Sequence, residues 1–277
     1  MELEIAWIEE HLSQKISSIQ LFSHGLAPIW TGSCAGRKIV IKGLETYEQA
    51  LCEFDGLAAL EGAGFPTPGN RYVIRGTELH YLLMDWIESG RASPRQIASA
   101  LIQGYGQKSE QWGYNRSNHI GILPQDNRLE EDFETFFREC RFKPQFQLGA
   151  RNGLFTARDE EMANQALRRV AKDMRASRPV LIHGDLWSGN LLVSTQRIYL
   201  IDPAVAFGCP EQDLAMLLLF GGPLSVSDLQ NIADETGSPP GFRERIPFWQ
   251  IYPLLVHVNL FGKSYLGQLR AALAAAN

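Results

Sequence analysis

Apolar residues recur at helical spacing through the first stretch, where Leu3, Trp7, Ile8, Leu12 and Ile16 lie among Glu and Gln. The pattern predicts an amphipathic helix packed by one face. A polar connection with Gly25, Pro28, Gly32 and Gly36 follows. Then "RKIVIKG" alternates as a strand does, with Ile39 and Ile41 facing one way and Val40 and Lys42 the other. Thr46 and Gln49 have capping-box spacing, and Leu51, Phe54, Leu57 and Leu60 repeat helically until Gly62 and Gly64, so Glu53 is expected on a helix soon after the strand that carries Lys42. "FPTPGN" reads as a loop, and "LHYLLMDWI" as a buried strand that breaks into polar "ESGRASP" near Glu88, where a lobe boundary is placed.

From Ser93 onward the periodicity is mostly helical. The irregular "WGYNRSNHIGILPQDN" interrupts it and is suited to lining a site. Helices are predicted over 129–143 and 159–176, and again through "EQDLAMLLLF" and the largely apolar stretch from Phe242. Between them, the short apolar runs "LLV" and "IYLI" are separated by "STQR", which predicts an antiparallel hairpin turning near Thr195 and Gln196. No internal repeat or low-complexity tract is present.

Composition adds exclusions. With 45% hydrophobic and 21% charged residues the chain is globular, and a net charge of −5 leaves no electrostatic footprint for nucleic acid. Cys34, Cys52, Cys140 and Cys209 are scattered without the paired spacing of a zinc site or a disulfide framework, so reduced thiols and a cytoplasmic location are expected. Acids stand where a secretory signal carries bases, and no apolar run approaches the roughly 20 residues of a bilayer span. No membrane association is expected.

The hairpin gives the chemistry its geometry. It carries the chain away from Asn190 and brings it back to Asp202, while Asp185 lies just upstream of the first strand. Three oxygen-bearing side chains thus converge, and such hard ligands suit Mg²⁺ together with substrate phosphates. In protein kinases a base Asp is followed five residues later by a metal-holding Asn, and a second metal-holding Asp comes after a short hairpin. Asp185, Asn190 and Asp202 keep that order and spacing. Lys42 and Glu53 supply the ion pair that orients ATP phosphates, and Met84, Asp85 and Trp86 the hinge that offers backbone groups to adenine. The expected fold is α+β and bilobal, protein-kinase-like. Residues 1–87 form a nucleotide-binding lobe, a small antiparallel β-sheet with one main helix, and residues 88–277 a larger, mostly helical catalytic and substrate-binding lobe that carries the hairpin.

"HGDLWSGN" followed by "IDPAVAFGCPEQDLAM" resembles the fructosamine kinase (ketosamine kinase) family, a branch of the small-molecule kinases that includes aminoglycoside and choline kinases. Trp187, Pro203 and the "DLAM" of residues 213 to 216 carry the resemblance beyond the broader group. So do "QWGYNRSNHIG" with "PQDN", the Phe136-to-Gln145 pattern and "YPLLVHVNLFG". The resemblance implies ATP-dependent phosphorylation of the third-carbon hydroxyl of a ketosamine, whose ester then sheds the sugar, as in deglycation repair. The acceptor is a small ketosamine or glycated amine, with a glycated protein left open. The family's phosphate-covering loop is glycine-rich, whereas this chain reads Ser23 to Pro28 with only Gly25.

Other readings stand beside these. His183 reads as a structural imidazole, Trp187 as either packing or a wall of the acceptor pocket, and Asp213 as a helix cap, a brace for the catalytic loop or a substrate contact. An aminoglycoside, choline or homoserine phosphotransferase, or a nucleotide-binding pseudokinase, remains the alternative.

Overall fold

The computed structural model describes residues 3–195 and 197–277. The first helix, α1 (Ile5–Leu12), ends at Ser13 in the left-handed region. Ile16 therefore lies outside the helix and opens a strand. The stretch read as a polar connection is a hairpin of β1 (Ile16–His24) and β2 (Pro28–Cys34). Its first strand is a sheet edge with two register shifts, and only Ile16 is buried, so no alternation marked it. The chain continues as β3 (Arg37–Leu44), α2 (Tyr47–Ala63), β4 (Tyr72–Arg75) and β5 (His80–Asp85). These strands form one antiparallel sheet in the order β1-β2-β3-β5-β4. As expected, β3 has two faces. Ile39 and Ile41 pack with Ile8 of α1, while Val40 packs with Leu57 of α2, and Lys42 shares Val40's parity. The Thr46–Gln49 capping box is present and starts α2, which sets Glu53 beneath the sheet.

The rest is mainly helical: α3 (Pro94–Gly104), a small hairpin of β6 (Asn118–Ile120) and β7 (Leu123–Gln125), and α4 (Phe133–Phe136), which runs through a π-helical turn, Phe137–Phe142, into α5 (Lys143–Arg151). The helix expected over 129–143 begins later, because Asp132 caps it by accepting the Thr135 amide at 2.7 Å. Next come α6 (Ala157–Met174), β8 (Val180–Ile182), β9 (Leu191–Ser194), β10 (Arg197–Leu200), β11 (Ala206–Gly208) and α7 (Pro210–Leu219). The chain closes with α8 (Val226–Glu235), α9 (Phe242–Phe261), a 3₁₀ turn and α10 (Leu266–Ala275). Phe133, Phe137, Phe142, Phe248 and Trp249 centre the largest core. Among the described residues no helix is long and apolar enough to cross a membrane.

Two small sheets frame the functional loops. The predicted hairpin is β9 with β10, Leu191 opposite Leu200 and Ser194 opposite Arg197; Gln196 of its turn lies outside the described residues. β8 pairs with β11, Ala206 opposite Ile182. The loop 183–190 therefore runs from one sheet to the other, and the segment 201–205 runs back. Chain connectivity alone lays the two segments side by side.

Candidate active site

Backbone and side-chain bonds lock the two segments together. The Ile201 amide donates to the Asn190 carbonyl at 3.1 Å, and the Ala204 amide to the His183 carbonyl at 2.9 Å. Gly184 has a φ of +83°, and a Cβ there would stand 2.1 Å from the Ala204 carbonyl oxygen, so both conformation and space require glycine. Asp202 adopts a φ of 54° without being glycine, a strained conformation that its bonded neighbours impose. Asn190 donates its amide to the Asp185 carbonyl at 2.9 Å and to Asp185 Oδ2 at 3.3 Å. Across the cleft, Lys42 Nζ lies 2.7 Å from Glu53 Oε2 and 2.9 Å from Asp202 Oδ1. Sequence spacing pairs Lys42 with Glu53, whereas the bridge onward to Asp202 forms only in the fold. Gly56, one turn beyond Glu53, lets α2 approach Pro203, whose Cγ would stand 2.9 Å from a Cβ at that position.

Burial and charge tune these groups. Burial, with the Asp202 and Asp213 charges behind it, pushes the Asp185 carboxyl up to about 7, suited to a base near neutrality. Glu53 is also driven up by burial, to about 8, against the pull of Lys42, and its Oε1 has no hydrogen-bond partner among the described residues. At Lys42 burial opposes the charge, but Asp202 and Glu53 outweigh it and keep the ammonium protonated. At Asp202 burial likewise loses to Lys42, which holds the carboxylate below its ordinary value.

His183 is structural, as the sequence suggested. It is fully buried, donates Nε2–H to the Ile201 carbonyl at 2.8 Å and accepts the Asp185 amide on Nδ1 at 3.2 Å. Those two bonds fix its tautomer, and burial lowers its pKa to about 4. A depressed folded pKa means that this stability is present above about 6.5, the unfolded value, and is lost as pH falls through about 4. At about pH 5 the loss from this group is about 2 kcal/mol. In His183→Gln, whose amide can still donate to Ile201, that part of the acid destabilisation is expected to disappear, as denaturant midpoints at neutral and acid pH will measure.

Asp213 is buried on α7, accepts the His183 and Gly184 amides, both at 2.8 Å, and takes the Tyr105 hydroxyl at 3.1 Å. Both carboxylate oxygens are thereby used within the protein, so of the readings left open Asp213 takes that of a brace for the 183–190 loop. Glu211 anchors the same helix by accepting two bonds from Arg245 and one from Trp249 Nε1. Sequence reasoning missed Tyr105 and Gly184; the glycine within "HGD" was the available signal.

At the hinge Met84 is buried, while the Asp85 carboxylate is held by Asn70 Nδ2 at 2.6 Å and Arg37 at 3.4 Å. The Asp85 side chain thus braces the end of β5, and its amide donates to the Gly69 carbonyl as the Trp86 amide does to the Lys38 carbonyl, both at 3.0 Å. Lys38 Nζ lies 3.8 Å over the Trp86 ring and Phe22 meets its edge. Gly25 sits at the tip of the β1–β2 hairpin, where a Cβ would meet nothing within 4 Å, so the fold itself does not demand glycine. The Trp187 indole is 38% exposed, lies over Gly189 and meets Phe220 edge-on.

The donor set suits Mg²⁺. Asn190 commits its amide nitrogen to Asp185 and so has Oδ1 to offer, and the Asp202 side chain is 38% exposed beside it. Among the described residues no cluster of three or more His, Cys, Asp or Glu side chains is placed to hold an ion. Mg²⁺ does not ask for one, since it binds through one or two carboxylates plus phosphate oxygens.

Known proteins share this architecture. A probable ketoamine kinase from Enterococcus faecium is 38% identical over 223 residues, 78% of this chain and 79% of that protein. A crystallised Thermobifida fusca protein assigned as a fructosamine-3-kinase superposes with a TM-score of 0.86 at 29% identity, covering 99% of this chain and 98% of that one. An aminoglycoside phosphotransferase crystallised with ADP and hygromycin B, at 14% identity and a TM-score of 0.66, covers 98% of each chain and shares the protein-kinase-like fold. The fructosamine kinase family model matches residues 42–276, a span that starts at Lys42 and takes in Glu53, Asp185, Asn190 and Asp202. The chain belongs to the fructosamine kinase family.

Proposed function

We propose that this chain is an ATP-dependent ketosamine kinase that transfers phosphate to the third-carbon hydroxyl of a sugar joined to an amine. One observation carries the reading: Asp185 and Asn190 on one loop and Asp202 on the next meet Lys42 and Glu53 across a single cleft. Family membership and the similarity to ketoamine kinases support the acceptor class.

Residues 1–87 hold the nucleotide and residues 88–277 the acceptor. Adenine sits against the backbone of Met84, Asp85 and Trp86, with Gly25 near the phosphates, and Lys42, held by Glu53, orients those phosphates. Asn190 and Asp202 would hold Mg²⁺, which would supply charge neutralisation on the phosphate oxygens. Asp185 accepts the hydroxyl proton as the oxygen attacks, and its raised pKa makes it a usable base at neutral pH. Catalysis here is mainly positioning and charge stabilisation. Trp187 forms a wall of the acceptor pocket, and the acceptor is a free ketosamine or a glycated amine, including one on a protein. Cys34, Cys52, Cys140 and Cys209 are free and buried, which supports a reducing cytoplasm.

The test is an ATP-dependent assay on fructosyl- and ribulosyl-amines beside an aminoglycoside, choline and homoserine. Ketosamine-dependent ADP release with a third-carbon phosphate is the expected result. Turnover confined to alcohols without a ketose would replace the acceptor, and turnover with nothing would favour a pseudokinase.

A further inference from the structure

The segment after Asp202 leaves two carbonyls, those of Ala204 and Val205, outside any β-ladder, since β11 begins at Ala206. Side-chain amides from the irregular stretch before α4 meet both. Asn118 Nδ2 and Asn127 Nδ2 donate to Val205 O at 2.9 and 3.2 Å, and Gln125 Nε2 donates to Ala204 O at 3.0 Å. Gln125 and Asn127 also donate to Asn118 Oδ1, each at 2.9 Å, which joins the three amides into one network. All three are buried, so the stretch expected to line the cleft turns these residues inward instead.

Donor-only and acceptor-only partners fix which way Asn127 and Gln125 point. Arg141 can only donate, and it donates to Asn127 Oδ1 at 2.7 Å, so Asn127 must turn its nitrogen toward Val205. The Ala204 carbonyl can only accept, which turns the Gln125 nitrogen toward it and leaves Oε1 to take the Tyr252 hydroxyl at 2.7 Å. Arg141 is itself buried on the π-helical turn, bonded to the Asp126 and Cys140 carbonyls and stacked against Phe136 and Tyr252.

We infer that Asn118, Gln125 and Asn127 are positioning residues for the metal-binding segment, a bracket that holds Asp202 in its left-handed conformation from the C-terminal side, set in register by Arg141 and Tyr252. The bracket complements the His183 bond to Ile201 on the other side of Asp202 and shares Ala204 with it, whose amide donates to the His183 carbonyl. Removing a buried amide from a carbonyl leaves that acceptor short of a partner at a desolvation cost, and the loss spreads through a connected network. The inference rests on the reading of Asp202 as a Mg²⁺ ligand.

Asn127→Asp separates positioning from folding. The carboxylate gives the buried Arg141 an anionic partner, which favours the fold, but sets an acceptor against Val205 O and Asn118 Oδ1. Full-length variants are compared for melting temperature, ADP affinity without metal, Mg²⁺-dependent ADP affinity and the Mg²⁺ concentration giving half-maximal turnover. Expected for Asn127→Asp are a near-wild-type melting temperature, unchanged metal-free ADP affinity and a Mg²⁺ requirement raised by roughly tenfold or more, the usual effect of losing an outer-shell partner. Tyr252→Phe, which removes only the hydroxyl that Gln125 Oε1 accepts, should shift the Mg²⁺ requirement in the same direction by about threefold. Should Asn127→Asp not fold, Tyr252→Phe decides. A wild-type Mg²⁺ response in the folded variant overturns the inference. Asp202→Asn is the control: if it leaves the Mg²⁺ response unchanged, the metal reading fails and the bracket's role with it.

Discussion

Asp185→Asn is expected to lower turnover by about 10³-fold while ADP affinity stays within about twofold of wild type. The amide is isosteric and can still accept the bond that Asn190 donates to Asp185 Oδ2, so the loop keeps its shape. His183 and Asp213 hold that loop through its backbone, which the substitution does not touch. What is lost is proton acceptance. The same assignment gives the wild type a pH signature: with the carboxyl near 7, kcat/KM should fall about tenfold per pH unit below that value, because only the ionised form accepts the proton. Steady-state kinetics across pH, together with nucleotide titrations of the variant, check both. Retention of more than about a tenth of turnover would reduce Asp185 to an orienting group.

Much of this site was legible because its logic is local. Asn190 follows Asp185 by five positions, and a short hairpin returns the chain to Asp202, so spacing and one turn prediction sufficed to bring them together. Lys42 and Glu53 were legible for the same reason, one on an alternating strand and the other on a capped helix next to it. The β1–β2 hairpin was not legible, because an edge strand with two register shifts and mostly exposed side chains carries no period-2 signal. Asp213 shows a different limit. An aspartate early in a helix looks the same in sequence whether it caps that helix or reaches 29 and 30 residues back to the Gly184 and His183 amides. The amides of Asn118, Gln125 and Asn127 looked like a polar loop because polarity predicts exposure unless the partners are known, and their partners lie about 80 residues away.

Lys42→Met should lower turnover by about 10² to 10³-fold and, unusually for a catalytic substitution, change how stability responds to pH. In the wild type one ammonium lies between two carboxylates, at 2.7 Å from Glu53 and 2.9 Å from Asp202. Where Glu53 is ionised, removing the ammonium leaves two carboxylates facing each other without a cation, and breaking a buried pair in this way costs about 3 kcal/mol or more when the remaining charge stays. Glu53 has a way to escape that cost. Its carboxyl already sits at about 8 through burial, with Lys42 as the main force lowering it, so without Lys42 it rises further and takes up a proton. A folded pKa raised above the unfolded one contributes stability that is complete below the unfolded carboxylate value and is lost as pH rises through the folded value. The variant is therefore expected to go on losing stability as pH rises above about 8, where Glu53 of the wild type has already ionised, and denaturant midpoints on the two sides of that value will show it. Adding Glu53→Gln should remove this pH dependence, since the amide carries no proton to lose, and restore stability at the alkaline end. Turnover should stay low in the double variant, because neither change returns the cation that orients phosphate. Restored stability without restored turnover separates the two roles of Lys42, while a double variant as active as wild type would show that phosphate is held elsewhere.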